Sequence, residues 1–279
     1  MSPQVATAEL LANRRLSHTL FGMRLGMPEE WGPAEPGQFV SLTLEPPWEE
    51  QRSGEAGDAL LRRPFSIAGI GRQGGRPVVE LLYAPVGKIS GRMTRLEAGA
   101  SVDLLGPCGT AFPHRTDAHA VLIAGGRGIA PMVYIAKERE VHRRPFSLLY
   151  GAREAREHLP LGSLAKRATL AAEDGRGGVR GTVIDLLNHQ TLPESPVLMA
   201  CGPHGMLDAV ASWAKARGAE CWVSVEEVFG CGIGICGGCA VPARGGAGVY
   251  ERFLWACRDG PVVAADRIDW DAWRALDGP

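Results

Sequence analysis

Along the first part of the chain, apolar residues come in short runs broken by turn residues. Residues 39–44 follow Pro36 and Gly37, residues 78–83 follow Arg76 and Pro77, and residues 101–105 follow Gly99. Short β-rich runs at this spacing predict a small antiparallel barrel up to about Pro113. The Pro-, Glu- and Gly-rich stretch 45–58 reads as a surface loop. Past Pro113 the runs become near-continuously apolar, at 120–124, 146–150, 168–172, 197–200 and 221–225. Helical patterns separate several of them. Pro131 suits a first helical turn, with Met132, Ile135 and Ala136 on one face; Met206, Leu207, Val210 and Ala214 share another before Gly218. Five such strands alternating with helices predict a parallel α/β sheet covered on both faces. From about Glu226 both patterns fail. The Gly- and Cys-rich remainder has too little apolar surface to fold alone, so an inorganic centre is its expected staple. The predicted plan is a β-barrel over residues 1–115, a five-stranded parallel α/β unit over 116–225, and a small metal lobe over 226–279.

Composition excludes several classes. The 279 residues carry 30 Lys and Arg against 31 Asp and Glu, a net charge of −1. A nucleic-acid binder would normally show a basic face or tail, so no nucleic-acid partner is expected. No apolar stretch approaches the ~18 residues of a membrane span. The first residues also lack the basic-then-apolar layout of a secretory signal. The expectation is a soluble, cytoplasmic protein with no membrane partner. With 37 Gly and 20 Pro the chain is rich in turns, while its 45% apolar content excludes wholesale disorder.

The cysteines carry the sharpest chemistry. Cys231, Cys236, Cys239 and Cys257, four of the seven, fall in one window. Such clustering favours a metal or redox site over a disulfide framework in a chain without an export signal. Their C-x4-C-x2-C…C arrangement is the plant-type [2Fe–2S] spacing. Three thiolates arriving from one tight loop need a chain that can curl, which Gly232, Gly234, Gly237 and Gly238 provide, leaving backbone N–H groups to point at sulfur. A structural zinc site also takes four cysteines, but usually as two C-x2-C knuckles, and only Cys236 and Cys239 have that spacing.

Three further motifs are weaker one by one. Arg63, Pro64, Phe65 and Ser66 precede a glycine turn in the barrel region. Arginine can pair with a pyrophosphate, and the aromatic or hydroxyl that follows can touch an isoalloxazine ring; a surface arginine at a turn is the plainer reading. Leu82, Tyr83 and Ala84, then Gly87 to Ser90, form a second patch whose turn N–H groups can bind phosphate. Gly125, Gly126, Gly128, Ile129 and Ala130, ahead of Pro131, sit between a strand and a helix, where a phosphate loop belongs, although such turns also occur without a ligand. Cys201, Gly202 and Pro203 close the next-to-last apolar run, at the end where open parallel sheets bind ligands. Lone cysteines such as Cys108, Cys201 and Cys221 are more often small buried hydrophobes. The seven histidines show no metal-binding spacing, and there is no G-x-S-x-G elbow.

The order of these motifs is more specific than any one of them. R-P-F-S in a barrel, then G-G-x-G-I-A-P in an α/β unit, then C-G-P, resembles the ferredoxin–NADP reductase superfamily. The resemblance implies that Arg63, Pro64, Phe65 and Ser66 embrace FAD, and that Gly125 to Pro131 hold the nicotinamide-nucleotide pyrophosphate. It places Cys201, Gly202 and Pro203 beside the nicotinamide. The short C-terminal cluster lobe is similar to the electron-transfer subunits of NAD-linked bacterial dihydroorotate dehydrogenases, with S-V-E-E before the first cysteine and C-R-D-G-P at the last. That likeness adds Leu82, Tyr83, Ala84, Gly87, Ile89 and Ser90 to the FAD contacts. It differs at Arg127, where a third glycine is common, and at Ile89 and Ser90, which replace Gly-Thr. The implied cofactors are FAD, a [2Fe–2S] cluster and NAD, with NADP as the alternative. Arg153 and Arg156 follow the second α/β run, where a 2′-phosphate can be recognised, although exposed arginines after a strand are usually just solvated. The implied partner is an FMN-containing catalytic dihydroorotate dehydrogenase subunit, in a heterotetramer serving pyrimidine biosynthesis. Passage of electrons from it through cluster and FAD to NAD+ is the implied function. No residue here looks like a base for oxidising dihydroorotate, so no catalytic residue is assigned. A reductase subunit of a sulfide dehydrogenase, transhydrogenase or hydrogenase is the alternative of the same architecture, and a zinc-stabilised binding protein the alternative of another class. Gly237 and Gly238 are expected near the docking surface.

Overall fold

Alternation of inward apolar and outward polar positions builds the N-terminal barrel in the computed structural model, which describes residues 3–44, 61–245, 248 and 250–276. Its strands are β1 (Gln4–Arg15), β2 (Phe21–Gly26), β3 (Phe39–Thr43), β4 (Arg63–Gln73), β5 (Arg76–Tyr83) and β6 (Ser101–Cys108). They close in the order β1-β2-β5-β4-β3-β6, every pairing antiparallel. Leu10, Leu25, Leu42, Ile67, Leu81 and Leu104 fill the interior. The predicted surface loop 45–58 lies outside the described residues. A short helix, α1 (Lys88–Met93), follows β5.

The five apolar runs past Pro113 are all strands: β7 (Ala120–Gly125), β8 (Phe146–Ala152), β9 (Ala168–Ala172), β11 (Val197–Cys201) and β12 (Glu220–Ser224). They pair in parallel, and the sheet is longer than predicted at both ends. Beyond β9 stands β10 (Val179–Arg180), two exposed residues too short to leave an apolar signature. Beyond β12, β15 (Val262–Ala264) runs antiparallel, supplied by the segment read as a separate metal lobe. Chain order reverses between β7 and β11, the topological switch point at which open α/β sheets bind ligands. Helix α2 (Ile129–Val141) covers one face through Ile129, Met132 and Ile135. Helices α3 (Val183–His189) and α4 (His204–Arg217) cover the other through Leu186, Leu187, Leu207 and Val210.

Barrel and sheet are tied together by α2. Tyr134 donates to the Ala34 carbonyl at 2.6 Å. Arg139, fully buried, donates to the carbonyls of His114, Thr116, Ala118 and Pro145 at 2.6–3.2 Å, gathering the interdomain connection onto the helix.

The C-terminal segment is not held by a metal centre alone. Its hairpin, β13 (Ala240–Pro242) and β14 (Phe253–Trp255), carries Val241 and Leu254 into the same apolar cluster as β11, β12 and α4. Thr110 Oγ1 donates to the Val262 carbonyl at 2.7 Å and accepts from the Val262 N–H at 3.1 Å. Helix α5 (Trp270–Leu276) buries Trp270 and Trp273 against His204 of α4. The apolar partners come from distant strands, which the local poverty of the segment concealed. Among the described residues, no helix is long and apolar enough to cross a membrane.

Candidate functional site

Three of the four clustered cysteines share one loop, and the hairpin delivers the fourth. Ala240 pairs with Trp255, and the Ala256 N–H donates to the Cys239 carbonyl at 3.0 Å. This register closes the intervening seventeen residues and sets the sulfurs of Cys239 and Cys257 3.3 Å apart. Cys231 Sγ accepts from the N–H groups of Ile233 (3.5 Å), Ile235 (3.3 Å) and Cys236 (3.4 Å), while the Gly234 N–H donates to Cys257 Sγ at 3.0 Å. Cys231 is also hydrogen-bonded to the Cys236 side chain. The sulfurs therefore form two pairs. A tetrahedral zinc site needs its donors around a single ion, whereas a two-iron cluster divides four thiolates between two irons. The paired arrangement fits the cluster.

The protein's own electrostatics favour the thiolate at Cys231 and oppose it at Cys257. Burial works to raise the Cys231 thiol, but the three N–H donors and the Cys236 bond outweigh it and bring it down to about 6. Such donors equally stabilise a coordinated sulfur. Burial, and then the neighbouring Cys239, push Cys257 up to about 12. Cys239 and Cys257 are buried, Cys231 half-buried, and Cys236 exposed beside Ile235, which is 78% exposed.

A cavity of about 500 Å³ opens between barrel and sheet. All ten predicted flavin contacts line it: Arg63, Pro64, Phe65 and Ser66 at the start of β4, Leu82, Tyr83 and Ala84 at the end of β5, and Gly87, Ile89 and Ser90 around the start of α1. The wall is apolar and aromatic, with Phe65 edge-on to Tyr83 at 6.1 Å. Burial pushes the Tyr83 phenol up to about 12 against its bond to Asn13, so it stays neutral and donates to Asn13 Oδ1 at 2.9 Å. One donor expected to face phosphate is used locally, since the Gly87 N–H donates to Ser90 Oγ at 3.0 Å. Apolar walls with Arg63 and Arg127 among the lining residues suit a flat heteroaromatic ring bearing a charged tail.

At the switch point the nucleotide motifs meet backbone to backbone. A Cβ on Gly128 would lie 2.0 Å from the Cys201 carbonyl oxygen; one on Gly125 would lie 2.6 Å from Met206 Sδ and 3.0 Å from Pro203 Cδ. A Cβ on Gly202 would lie 3.1 Å from the Gly125 Cα. Of the predicted loop residues, Ala130 lines the cavity, whereas the Ile129 side chain is buried in the core under α2. Cys201 is buried as well. Burial and then the Glu226 carboxylate push its thiol far up, against a bond to Ser224 and the Arg127 charge, so it is a neutral contact group. Arg153 and Arg156 are exposed, and Arg156 pairs with Glu154 at 2.6 Å.

The cavity holds residues that sequence reading did not assign: Phe39, Arg127, Ser224, Glu226, Glu227 and Phe229. Phe39 sits opposite Ser66 in the barrel and meets Phe229 at 5.1 Å between ring centroids. Two residues along the same strand, Ser41 Oγ lies 2.9 Å from where a Cβ of Gly232 would stand. One barrel strand thus touches the cavity at Phe39 and the cysteine loop at Ser41, about 7 Å apart at the usual strand rise. The S-V-E-E run was the available signal for Ser224, Glu226 and Glu227.

Comparison with known proteins bears on this arrangement. Residues 226–269 match the iron–sulfur cluster binding domain of dihydroorotate dehydrogenase B, and residues 122–212 the oxidoreductase NAD-binding domain. The dihydroorotate dehydrogenase B (NAD(+)) electron transfer subunit of Geobacillus thermodenitrificans is 33% identical over 95% of this chain and 96% of its own. A probable counterpart in Methanopyrus kandleri is 34% identical, covering 94% and 91%. Among solved structures, an NADH-dependent reduced ferredoxin-NADP oxidoreductase superposes with a TM-score of 0.78 at 23% identity, over 96% of this chain and 91% of that one. The ferredoxin NADP+ reductase of Neisseria gonorrhoeae, with bound FAD and NADP, gives 0.63 at 19% identity over 77% and 92%; both share the fold. With near-complete coverage and a cysteine lobe of the matching kind, the chain belongs to the family of dihydroorotate dehydrogenase B electron transfer subunits.

Proposed function

We propose that this chain passes electrons from an FMN-containing dihydroorotate dehydrogenase subunit through a [2Fe–2S] cluster and FAD to NAD+, as half of a heterotetramer. A nicotinamide exchanges two electrons as a hydride, a [2Fe–2S] cluster carries one, and a flavin accepts either. Cys231, Cys236, Cys239 and Cys257 hold the cluster, with the N–H groups of residues 233–236 donating to sulfur. Arg63 to Ser66, Leu82 to Ala84, Gly87, Ile89 and Ser90 hold FAD. Gly125, Gly126, Gly128, Ile129 and Ala130 shape the dinucleotide loop, and Cys201, Gly202 and Pro203 bound the nicotinamide. The observation that carries this reading is the shared wall, where β3 serves cavity and cysteine loop two residues apart.

The cysteine loop also offers a face for the catalytic subunit. Cys236 and Gly238 are exposed and Gly237 is half-buried, within a surface that includes Ile235 and Val228, the latter 82% exposed. Exposed apolar residues grouped around a redox centre suit a docking partner, and small residues let its redox group approach closely. Metal, sulfide and flavin analysis of protein purified without oxygen tests the whole assignment. Paired iron and sulfide with FAD are the expected result; zinc in place of iron, on colourless protein, overturns it.

A further inference from the structure

Arg127 carries the one side chain of the otherwise all-glycine loop 125–128. Gly125 and Gly128 are held side-chain-free by Met206 and the Cys201 carbonyl, whereas Arg127 stands 53% exposed and lines the cavity. Its guanidinium reaches across the mouth to Glu226 at the exit of β12, 3.7 Å away. Both charges are felt by Cys201, so the pair spans the place where the two nucleotide motifs meet. Directly behind Arg127, the thirteen-residue helix α2 begins with no acidic residue in its first turn. Its N-terminus adds positive potential to that spot.

We propose that Arg127 is a specificity-determining residue for the dinucleotide diphosphate, and that Glu226 competes with that diphosphate for its guanidinium. The inference rests on the dinucleotide assignment above. A single half-exposed contact at 3.7 Å is a weak ion pair, of the kind that contributes little in water. A diphosphate offers more charge and matches the guanidinium fork with two parallel bonds, which a lone carboxylate oxygen at that distance does not. The exchange therefore favours the ligand. It also returns an uncompensated Glu226 carboxylate to the cavity, so Glu226 moderates affinity rather than supplying it.

Calorimetric titration of the FAD- and iron-loaded protein with ADP-ribose, which carries the diphosphate but no redox group, tests this. Arg127→Ala is expected to weaken binding by about tenfold or more and to flatten its salt dependence. Arg127→Lys, a point charge without the fork, should fall between. Glu226→Gln should tighten binding by about two- to fivefold, and that gain should vanish when combined with Arg127→Ala. Flavin absorbance and iron content should not move in any variant. Binding by Arg127→Ala within about twofold of the parent, or a Glu226→Gln gain that persists without Arg127, overturns the proposal and leaves the dinucleotide site standing. Failure of the unaltered, fully loaded protein to bind ADP-ribose overturns the site itself, and this proposal with it.

Discussion

Two glycine-rich loops flank the cavity, and they lean on glycine in different proportions for turning and for close packing. In the cysteine loop, Gly232 and Gly234 have φ of +73° and +82°, so the chain turns back on itself and aims its N–H groups at sulfur. In the loop after β7, Gly126 also turns through a positive φ of +52°, but Gly125 and Gly128 have ordinary dihedrals and are required because backbone and side chains press against them. The first loop is half-exposed, with Ile233 and Ile235 facing solvent. In the second, Gly125 and Gly128 are buried where β7, β11 and α2 meet, and only Gly126 and Arg127 reach the surface. One is shaped to receive a group that completes it; the other is complete as folded. Loss of the inorganic centre should therefore unravel one loop and leave its neighbour intact.

The largest effect is expected from Cys257→Ser. It removes the proposed cluster thiolate that lies 3.3 Å from Cys239 Sγ and accepts the Gly234 N–H. Iron should be lost and electron exchange with the catalytic subunit should fall to background. NADH oxidation with ferricyanide, which needs only the flavin and nucleotide sites, should persist. Hydrogen exchange should show faster opening of residues 231–239 while β13, β14 and the sheet stay protected, because Val241 and Leu254 belong to the sheet's own apolar cluster. Joint melting of sheet and loop would erase the contrast.

Next comes Arg139→Met, which acts on the sheet and its connection to the barrel, away from the cysteine loop. It leaves the carbonyls of His114, Thr116, Ala118 and Pro145 without their buried donor. At the usual penalty for stranded acceptors, the loss is on the order of 3–5 kcal/mol, read by denaturant unfolding. The iron content of the folded fraction should not change.

What the sequence revealed follows the same division. The cysteine spacing and the order of the R-P-F-S, G-G-x-G and C-G-P motifs were legible, since each is local and sits at a strand end. Arg139 was not, because a charge within a polar helical run reads as solvated until the carbonyls around it are known. Phe39 and Phe229 were equally hidden. They reach one cavity from two distant stretches, and each alone looks like core or surface. The antiparallel edge strand β15 is three residues long, too short for periodicity to register. The expected dependence of the lobe on metal does not extend to its hairpin, which is packed on the sheet.

The smallest effect, and the most discriminating, is expected from Gly128→Ala. The added Cβ would stand 2.0 Å from the Cys201 carbonyl oxygen and 2.7 Å from the Gly202 nitrogen, both backbone atoms that no rotamer change can move. The ends of β7 and β11 must therefore part, at a cost of about 1–3 kcal/mol typical of overpacking. That separation displaces Ala130, which lines the cavity, and Cys201, whose strand end pairs with Ala124 and Ser224. NAD(H) affinity should fall while FAD and iron contents remain as in the parent. If steric closure is the reason for this glycine, Gly128→Ser should be at least as damaging, since it adds the same Cβ and more. An alanine variant that binds NAD(H) normally would mean the two strand ends part without consequence, and the loop after β7 would then be no more preformed than the cysteine loop beside it.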